Sequence, residues 1–128
     1  MKLLLDTHIW LWSLLEPVHL GENVAAELEN PSNELWLSPV SVWESLILVE
    51  DGRLVLGMEP DDWLQTVFSR VPFKEAALNN EVVIRSRYVH LPDLFDRFLV
   101  ATAIVYDLTL VTGDKRLSHS EASVLANG

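Results

Sequence analysis

Four acidic residues stand in apolar surroundings in this chain, and they are the strongest candidates for chemistry. Asp6 follows the apolar run Leu3–Leu5, and Glu44 lies in the segment SVWESLI. Asp96 lies in the segment DLFDRFLVATA, and Asp114 follows the apolar stretch TLVT. Burying a carboxylate is costly unless the group is paired or coordinated, so acids in such segments need an explanation.

A shared cation site would explain all of these acids at once. Four carboxylates at one edge of a parallel sheet would repel one another strongly, and a divalent cation removes that repulsion. Carboxylate oxygens without His or Cys ligands suit Mg²⁺ or Mn²⁺ rather than zinc. A hard cation held in this way can activate water and stabilise charge on a phosphoryl oxygen, so phosphodiester hydrolysis is the chemistry that fits best.

Each acid also has an ordinary structural explanation, and no single acid decides between the two. The ordinary roles are a helix cap for Asp6, a solvent-facing position for Glu44, an ion pair with Arg85 or Arg87 for Asp96, a turn for Asp114 and a helix N-cap for Asp93. The elements that carry the acids therefore decide whether the acids can meet.

These elements alternate between strands and helices along the chain. The apolar runs predict strands over Lys2–Leu5, Glu34–Ser38, Val71–Phe73, Thr109–Thr112 and Ala122–Leu125. Apolar spacing, caps and breakers predict helices over Thr7–Leu15, Gly21–Glu29, Val40–Glu50, Glu59–Arg70, Ala76–Tyr88, Leu94–Tyr106 and Lys115–Ser118. Such alternation is typical of a three-layer α/β/α sandwich with a central, mainly parallel sheet, in which ligands bind at the carboxyl ends of the strands.

Composition limits the classes of protein to consider. The chain has 128 residues, of which 49% are hydrophobic and none is cysteine. We therefore expect a single domain over residues 1–128 with a sizeable core and no disulfide or thiolate site. The net charge of −10 argues against a large basic nucleic-acid footprint, but it allows an acidic pocket that meets phosphate through a metal. Without a membrane-length apolar run or a typical signal peptide, we expect a cytoplasmic protein with no membrane segment.

Four segments, taken in order, resemble the PIN-domain ribonucleases, and most closely the VapC-like toxins of prokaryotic toxin–antitoxin pairs. LLLDTHIWLW is similar to the family's opening strand with its first acid, and SPVSVWESLI is similar to the segment that carries the second. DLFDRFLVATA looks like the family's DPFDRLLIAQA-type helix, and LVTGDKRL looks like its LVTRDKRF-type ending. The resemblance covers essentially the whole chain, and it implies a PIN-like fold and a metal-dependent endoribonuclease.

The resemblance also implies roles for individual residues. Asp6, Glu44, Asp96 and Asp114 correspond to the acidic quartet that binds Mg²⁺ or Mn²⁺ and carries catalysis. Thr112 matches the polar residue before the last acid, where its hydroxyl can support a carboxylate or a water.

Four further positions are singled out by the same resemblance. Asp93 matches the first acid of a DxxD pair. At most, it would support the metal ligands without contacting the metal itself. Arg97 matches a recurrent arginine beside the third acid, and contact with substrate phosphate, contact with an acid, and a position outside the site all stay open for it. Leu94 stands where proline is frequent, and Gly113 stands where a basic residue is frequent, which removes one candidate phosphate contact.

The partners that the resemblance implies are an RNA substrate, a second copy of the chain in a homodimer, and a cognate antitoxin. The antitoxin would lay a peptide across the active-site groove and could offer an arginine to the acids. His8 is the only histidine near the proposed site, and it and Thr7 stay open between helix capping and support of Asp6.

Two other functions are compatible with parts of the sequence. A non-catalytic interaction module could use the five tryptophans to line a partner groove, although such residues more often serve a core or a dimer interface. An aspartate-phosphorylated α/β domain would use Asp6, Thr112 and Lys115. Against that function, the strand ELWLS ends without an Asp, and His8 stands where phosphatase folds with a nucleophilic aspartate place a second one.

Overall fold

Five parallel strands form one sheet at the centre of the molecule. The computed structural model describes residues 1–128, and its strands are β1 (Lys2–Leu5), β2 (Glu34–Leu37), β3 (Lys74–Glu75), β4 (Thr109–Thr112) and β5 (Ser123–Ala126). The strand order is β3-β2-β1-β4-β5, and every neighbouring pair is parallel. The predicted α/β fold with a central, mainly parallel sheet is confirmed.

Seven α-helices and one short 3₁₀ turn cover the sheet. The helices are α1 (Thr7–Leu15), α2 (Glu22–Glu29), α3 (Pro39–Glu50), α4 (Pro60–Arg70), α5 (Asn80–Ser86), α6 (Leu94–Val105) and α7 (Lys115–Ser118), and the 3₁₀ turn is Pro17–His19. None of these helices is both long enough and apolar enough to cross a bilayer.

The central strand β1 separates two hydrophobic cores. Leu4 packs into one core with Leu99 and Leu110, on the side of α5, α6 and α7. Leu3 and Leu5 point to the opposite face and pack into the second core, on the side of α1, α2 and α4. Successive side chains of a strand point to opposite faces, so an uninterrupted leucine run serves a strand that is covered on both sides.

The strand order creates a switch point beside β1. From β1 the chain passes to β2 on one side, and later returns to β4 on the other side. The connections therefore diverge at the carboxyl ends of β1 and β4, which leaves a crevice there. Asp6 follows β1 and Asp114 follows β4 by two residues, so both acids lie at this crevice.

Two predicted elements differ from the structure in the region between α4 and α5. The strand predicted over Val71–Phe73 is wrong: Val71 closes α4 by donating its N–H to the carbonyl of Val67 at 3.0 Å, and β3 begins at Lys74. The helix predicted from Ala76 begins only at Asn80. Ala76 still pairs with the sheet through its N–H to the carbonyl of Leu37 at 2.9 Å, and Asn79 provides the N-cap.

Candidate active site

The four predicted acids line a single cavity of about 430 Å³ at the carboxyl ends of β1 and β4. Asp6 comes from the end of β1, Glu44 from α3, Asp96 from the first turn of α6, and Asp114 from the turn after β4. The nine lining residues, only one of them hydrophobic, are Asp6, His8, Trp12, Glu44, Asp93, Asp96, Gly113, Asp114 and Arg116. Residues up to 110 positions apart in the sequence thus meet in one place.

Asp6 pairs with the neighbouring strand and also begins the helix that follows it, because its carbonyl accepts the N–H of Trp10 at 3.0 Å. Its N–H donates to the carbonyl of Val111 at 3.0 Å, which extends the pairing between β1 and β4. Its side chain makes no capping hydrogen bond to α1, so it does not serve as the side-chain helix cap. Burial raises the pKa of the Asp6 carboxyl, and a hydrogen bond from Thr112 offsets part of that rise.

Thr112 connects the two strand ends that carry acids. Its side chain is fully buried. Its hydroxyl donates to Oδ2 of Asp6 at 2.6 Å and accepts the backbone N–H of Asp114 at 3.0 Å. One hydroxyl therefore fixes the orientation of the Asp6 carboxylate relative to the turn that bears Asp114, which is the kind of contact the sequence suggested for Thr112.

Asp96 lies in the most crowded part of the cavity. Asp93 caps α6 by accepting the N–H of Asp96 at 3.1 Å, so its carboxylate stays next to that of Asp96. Burial, followed by the charges of Asp93 and Asp6, raises the pKa of Asp96 to about 6. Without a cation, ionisation of Asp96 is therefore unfavourable. A cation bound in the cavity would stabilise the ionised carboxylate.

Arg116 brings a positive charge to the lining of the cavity, and it was not among the residues predicted from the sequence. Its Nη2 lies 2.7 Å from Oδ2 of Asp114 and 3.5 Å from Oδ2 of Asp96. Asp114 also caps α7 by accepting the N–H of Arg116 at 2.9 Å. The hydrogen bonds and charge of Arg116 lower the pKa of Asp114. The spacing in the sequence could have indicated this contact, because a side chain two residues beyond a helix N-cap can fold back onto the capping residue.

Glu44 reaches the cavity through the contact between α1 and α3. The hydroxyl of Thr7, at the start of α1, donates to the hydroxyl of Ser41 in α3 at 3.0 Å, and both residues are fully buried. Residues three apart on a helix share a face, so Ser41 and Glu44 both face α1. The side chain of Glu44 takes part in no salt bridge.

Two residues that were considered for the site lie outside the cavity. Arg97, for which three positions were open, donates from Nε to the carbonyl of Leu91 and does not line the cavity. Lys115, which the aspartate-phosphorylation alternative needs beside Asp6, is exposed and is also absent from the lining.

The donor set of the cavity fits a hard divalent cation, although the side chains do not yet surround one. No group of three or more His, Asp or Glu side chains is arranged to hold a metal ion, and Asp96 and Asp114 contact Arg116. Burial raises the pKa values of Asp6 and Asp96, and for Asp96 the charges of Asp93 and Asp6 add to the rise, so ionising these acids remains costly beside a single guanidinium. Oxygen-only donors with uncompensated negative charge are the ligands that Mg²⁺ and Mn²⁺ prefer.

Comparison with known proteins gives a family match over nearly the whole chain. A family model described as PIN domain matches residues 3–122. The chain is 33% identical over 122 residues to Ribonuclease VapC22 of Mycobacterium tuberculosis (strain ATCC 25618 / H37Rv), which covers 91% of this chain and 90% of that protein.

Solved structures with a similar fold share little sequence identity with this chain. A chain of VapBC2 from Rickettsia felis, crystallised with a DNA fragment from its promoter, aligns with a TM-score of 0.75 and 14% identity over 100% of both chains. A chain of FitAcB from Neisseria gonorrhoeae aligns with a TM-score of 0.70 and 20% identity over 96% of both chains. At these identities the likeness concerns the fold.

Proposed function

The chain belongs to the PIN-domain family, and we propose that it is a divalent-metal-dependent endoribonuclease and the toxin of a toxin–antitoxin pair. The observation that carries this proposal is the convergence of four acids from separate elements on one cavity. The 33% identity to a protein named Ribonuclease VapC22 supports RNA as the substrate.

Asp6, Glu44 and Asp96 would hold the divalent cation, and Asp114 would complete the site or help to recruit a second ion. A bound cation would supply Lewis acidity, which activates water for in-line attack on phosphorus and stabilises the charge on the leaving oxygen. No histidine is assigned as a general base, because a cation lowers the pKa of water without one.

The surrounding residues prepare the carboxylates for this role. Thr112 donates to Asp6 at 2.6 Å and so restricts the rotation of its carboxylate. Asp93 caps α6 and thereby fixes the start of the helix that carries Asp96. Arg116 provides positive charge at the cavity, which lowers the repulsion that an approaching RNA phosphate would otherwise meet.

An antitoxin protein is the partner that this function requires. The structural neighbours include a toxin–antitoxin complex from Klebsiella pneumoniae, aligned with a TM-score of 0.64 and 18% identity. A homodimer remains a prediction from the family resemblance. Light scattering at micromolar concentration tests it, and a monomeric result would contradict it.

Cleavage assays with one charge-removing variant and its matched control test the nuclease. Asp6→Asn keeps the size of the side chain but removes its charge, so we expect RNA cleavage to fall about 100-fold or more while the protein stays folded. Asp107→Asn is the control: Asp107 is exposed, lies outside the cavity, and has a φ of 55°, which asparagine also tolerates. It should cleave like the unmodified protein.

Metal removal gives the second arm of the same experiment. Excess EDTA should abolish cleavage, and added Mg²⁺ or Mn²⁺ should restore it. Sequencing the 5′ ends of RNA fragments after induction of the unmodified protein and of Asp6→Asn would identify the RNA that is cut. Full activity of Asp6→Asn, or full activity in EDTA, would refute the proposed mechanism.

A further inference from the structure

His8 and Trp12 form a wall that two cavities share. Both residues line the acidic cavity, and both also line a second cavity of about 180 Å³ that continues to Arg53. They lie four residues apart on α1, so their side chains share one face of the helix. Their ring centroids are 5.8 Å apart at an interplanar angle of 57°. The two cavities therefore adjoin at these two aromatic rings, with the acids on one side and Arg53 on the other.

Trp12 differs from the two tryptophans of the neighbouring core. Trp10 and Trp63 pack together with ring centroids 5.6 Å apart, and both are buried, which accounts for them as core residues. Trp12 packs at the edge of that core and against His19, with ring centroids 5.2 Å apart, and it leaves part of its indole in the walls of both cavities. Core packing alone does not account for an indole in this position.

Gly113 places no side chain against the edge of the Trp12 indole that lies next to the acids. A Cβ atom at position 113 would lie 3.8 Å from Cζ3 of Trp12, so any side chain there would start in van der Waals contact with the indole. Gly113 does not have a positive φ, so the backbone does not require glycine. Glycine at this position thus leaves that edge of the indole free of a side chain.

The charge of the protein makes such a surface valuable for binding RNA. Nine basic residues face nineteen acidic ones, so attraction to the RNA backbone is weak over most of the surface. Stacking of a base on an aromatic ring does not depend on net charge and contributes substantially to single-strand binding. Arg53 is exposed in the second cavity and takes part in no salt bridge, so its guanidinium is available to a phosphate.

We propose that Trp12, with His8 beside it, stacks a nucleobase of the RNA next to the cleaved phosphate, and that Arg53 contacts a phosphate further along the strand. This subsite rests on the proposed nuclease function, because it places the base relative to the acidic cavity. An indole stacks on every base, so the subsite adds affinity with little sequence preference.

The test measures RNA affinity while the indole and the base are removed separately and together. The background is Asp6→Asn, which binds RNA without cutting it, and the probe is a labelled hexa-adenylate in which one nucleotide at a time is abasic. Fluorescence anisotropy at low salt should give about tenfold weaker binding when the base at the subsite is missing. In Trp12→Leu the missing base should cost nothing further, and Trp12→Phe should retain most of the base dependence.

Matched controls separate stacking from a loss of folding. Trp36→Leu makes the same substitution at an indole that packs against Tyr106 on the other side of the sheet, and it should keep the full abasic effect. Arg53→Gln should reduce the dependence of binding on salt by about one phosphate contact. Arg70→Gln, at an exposed arginine of α4, should leave that dependence unchanged. Thermal unfolding of every variant verifies the fold.

The possible outcomes either support or overturn the subsite. An abasic effect that disappears in Trp12→Leu supports it. An equal abasic effect in Trp12→Leu, no abasic effect in the background protein, or no RNA binding at all overturns it. The cleavage assay of Asp6→Asn is read separately, so an active nuclease without coupling refutes only the subsite. Undiminished cleavage by Asp6→Asn refutes the proposed acid chemistry itself.

Discussion

Two cavities of equal size, about 430 Å³ each, open beside α3, and only one of them is suited to catalysis. Six of the nine residues that line the first cavity are hydrophobic, against one of nine in the acidic cavity. The neighbouring residues Trp43 and Glu44 serve different cavities, because adjacent helical positions point about 100° apart. Size therefore does not identify the site, whereas the chemistry of the lining does.

The two cavities also leave different groups unsatisfied. The apolar cavity exposes hydrophobic surface, with Trp43 at 56% and Phe68 at 44% exposure. In the acidic cavity, burial raises the pKa of Asp6, and burial followed by the charges of Asp93 and Asp6 raises the pKa of Asp96. Hydrophobic surface is satisfied by any apolar contact, but concentrated carboxylates are satisfied only by cations or protons. The acidic cavity should therefore respond to pH and to metal, and the apolar cavity should not.

The largest expected effect comes from the same substitution made in each cavity. Glu44→Gln removes a carboxylate from the acidic cavity and should lower RNA cleavage about 100-fold or more. Glu75→Gln removes a carboxylate from the apolar cavity and should leave the cleavage rate unchanged. The measurement is the initial rate of cleavage at saturating Mn²⁺. Equal losses of cleavage rate in the two variants would show that the acidic cavity is no more important for catalysis than the apolar cavity.

An intermediate effect concerns stability and pH in the absence of metal. The pKa of Asp96 is about 6 in the folded protein and lower in the unfolded chain, so its contribution to stability is present below about pH 4 and lost as the pH rises through 6. Asp6 acts in the same direction, since its pKa is also raised. In EDTA, the melting temperature should therefore fall between pH 4 and pH 7.

Asp96→Asn isolates this effect. The variant lacks the ionisation, so its melting temperature should fall less over the same pH range. At pH 7 its free energy of unfolding should be higher by the order of 1–2 kcal/mol, after allowance for solvent screening in an open cavity. Asp107→Asn, at an exposed position outside the cavity, should keep the slope of the unmodified protein. A steep slope retained in Asp96→Asn would assign the pH response to other groups.

The smallest expected effect concerns the competition between Arg116 and a cation. Arg116 contacts Asp114 at 2.7 Å and Asp96 at 3.5 Å, so a metal must displace it from both. Arg116→Gln should therefore bind Mn²⁺ about two- to fivefold more tightly in calorimetric titrations. Arg85→Gln breaks the exposed ion pair with Glu121 and should leave the affinity unchanged. Weaker Mn²⁺ binding by Arg116→Gln would mean that Arg116 supports the ion instead.

The parts of the fold that the sequence predicts well are those with strong local signals. The bounds of β1, α1 and β4 match the prediction, because an uninterrupted leucine run, a proline after the helix and the stretch TLVT act within a few residues. The prediction fails over Val71–Asn79. Apolar residues there suggested a strand and a helix, but the edge strand consists of the charged pair Lys74–Glu75, which pairs with β2. Pairing with a distant strand leaves no local pattern.

In the candidate site, too, the residues with a strong local sequence signal were predictable and the others were not. The sequence by itself determined which acids are set in apolar segments, because burial of a carboxylate contradicts the local pattern and is therefore visible without a structure. The resemblance to the PIN-domain family also pointed to Thr112 as a residue that supports a carboxylate or a water. The sequence did not reveal Arg116 or Trp12, since a lysine–arginine pair after a turn and an aromatic residue in an apolar helix have many ordinary uses.

Only the tertiary structure decided which groups share the cavity. The order β2-β1-β4 brings Asp6 and Asp114 to adjacent strand ends, and the contact between Thr7 and Ser41 brings α3 and Glu44 to them. The same packing turns Arg97 towards Leu91 and away from the acids. Distances between side chains depend on strand order and helix packing, which are set by contacts across the whole chain. The acids could therefore be predicted from the sequence, but the residues that surround them could be identified only in the folded structure.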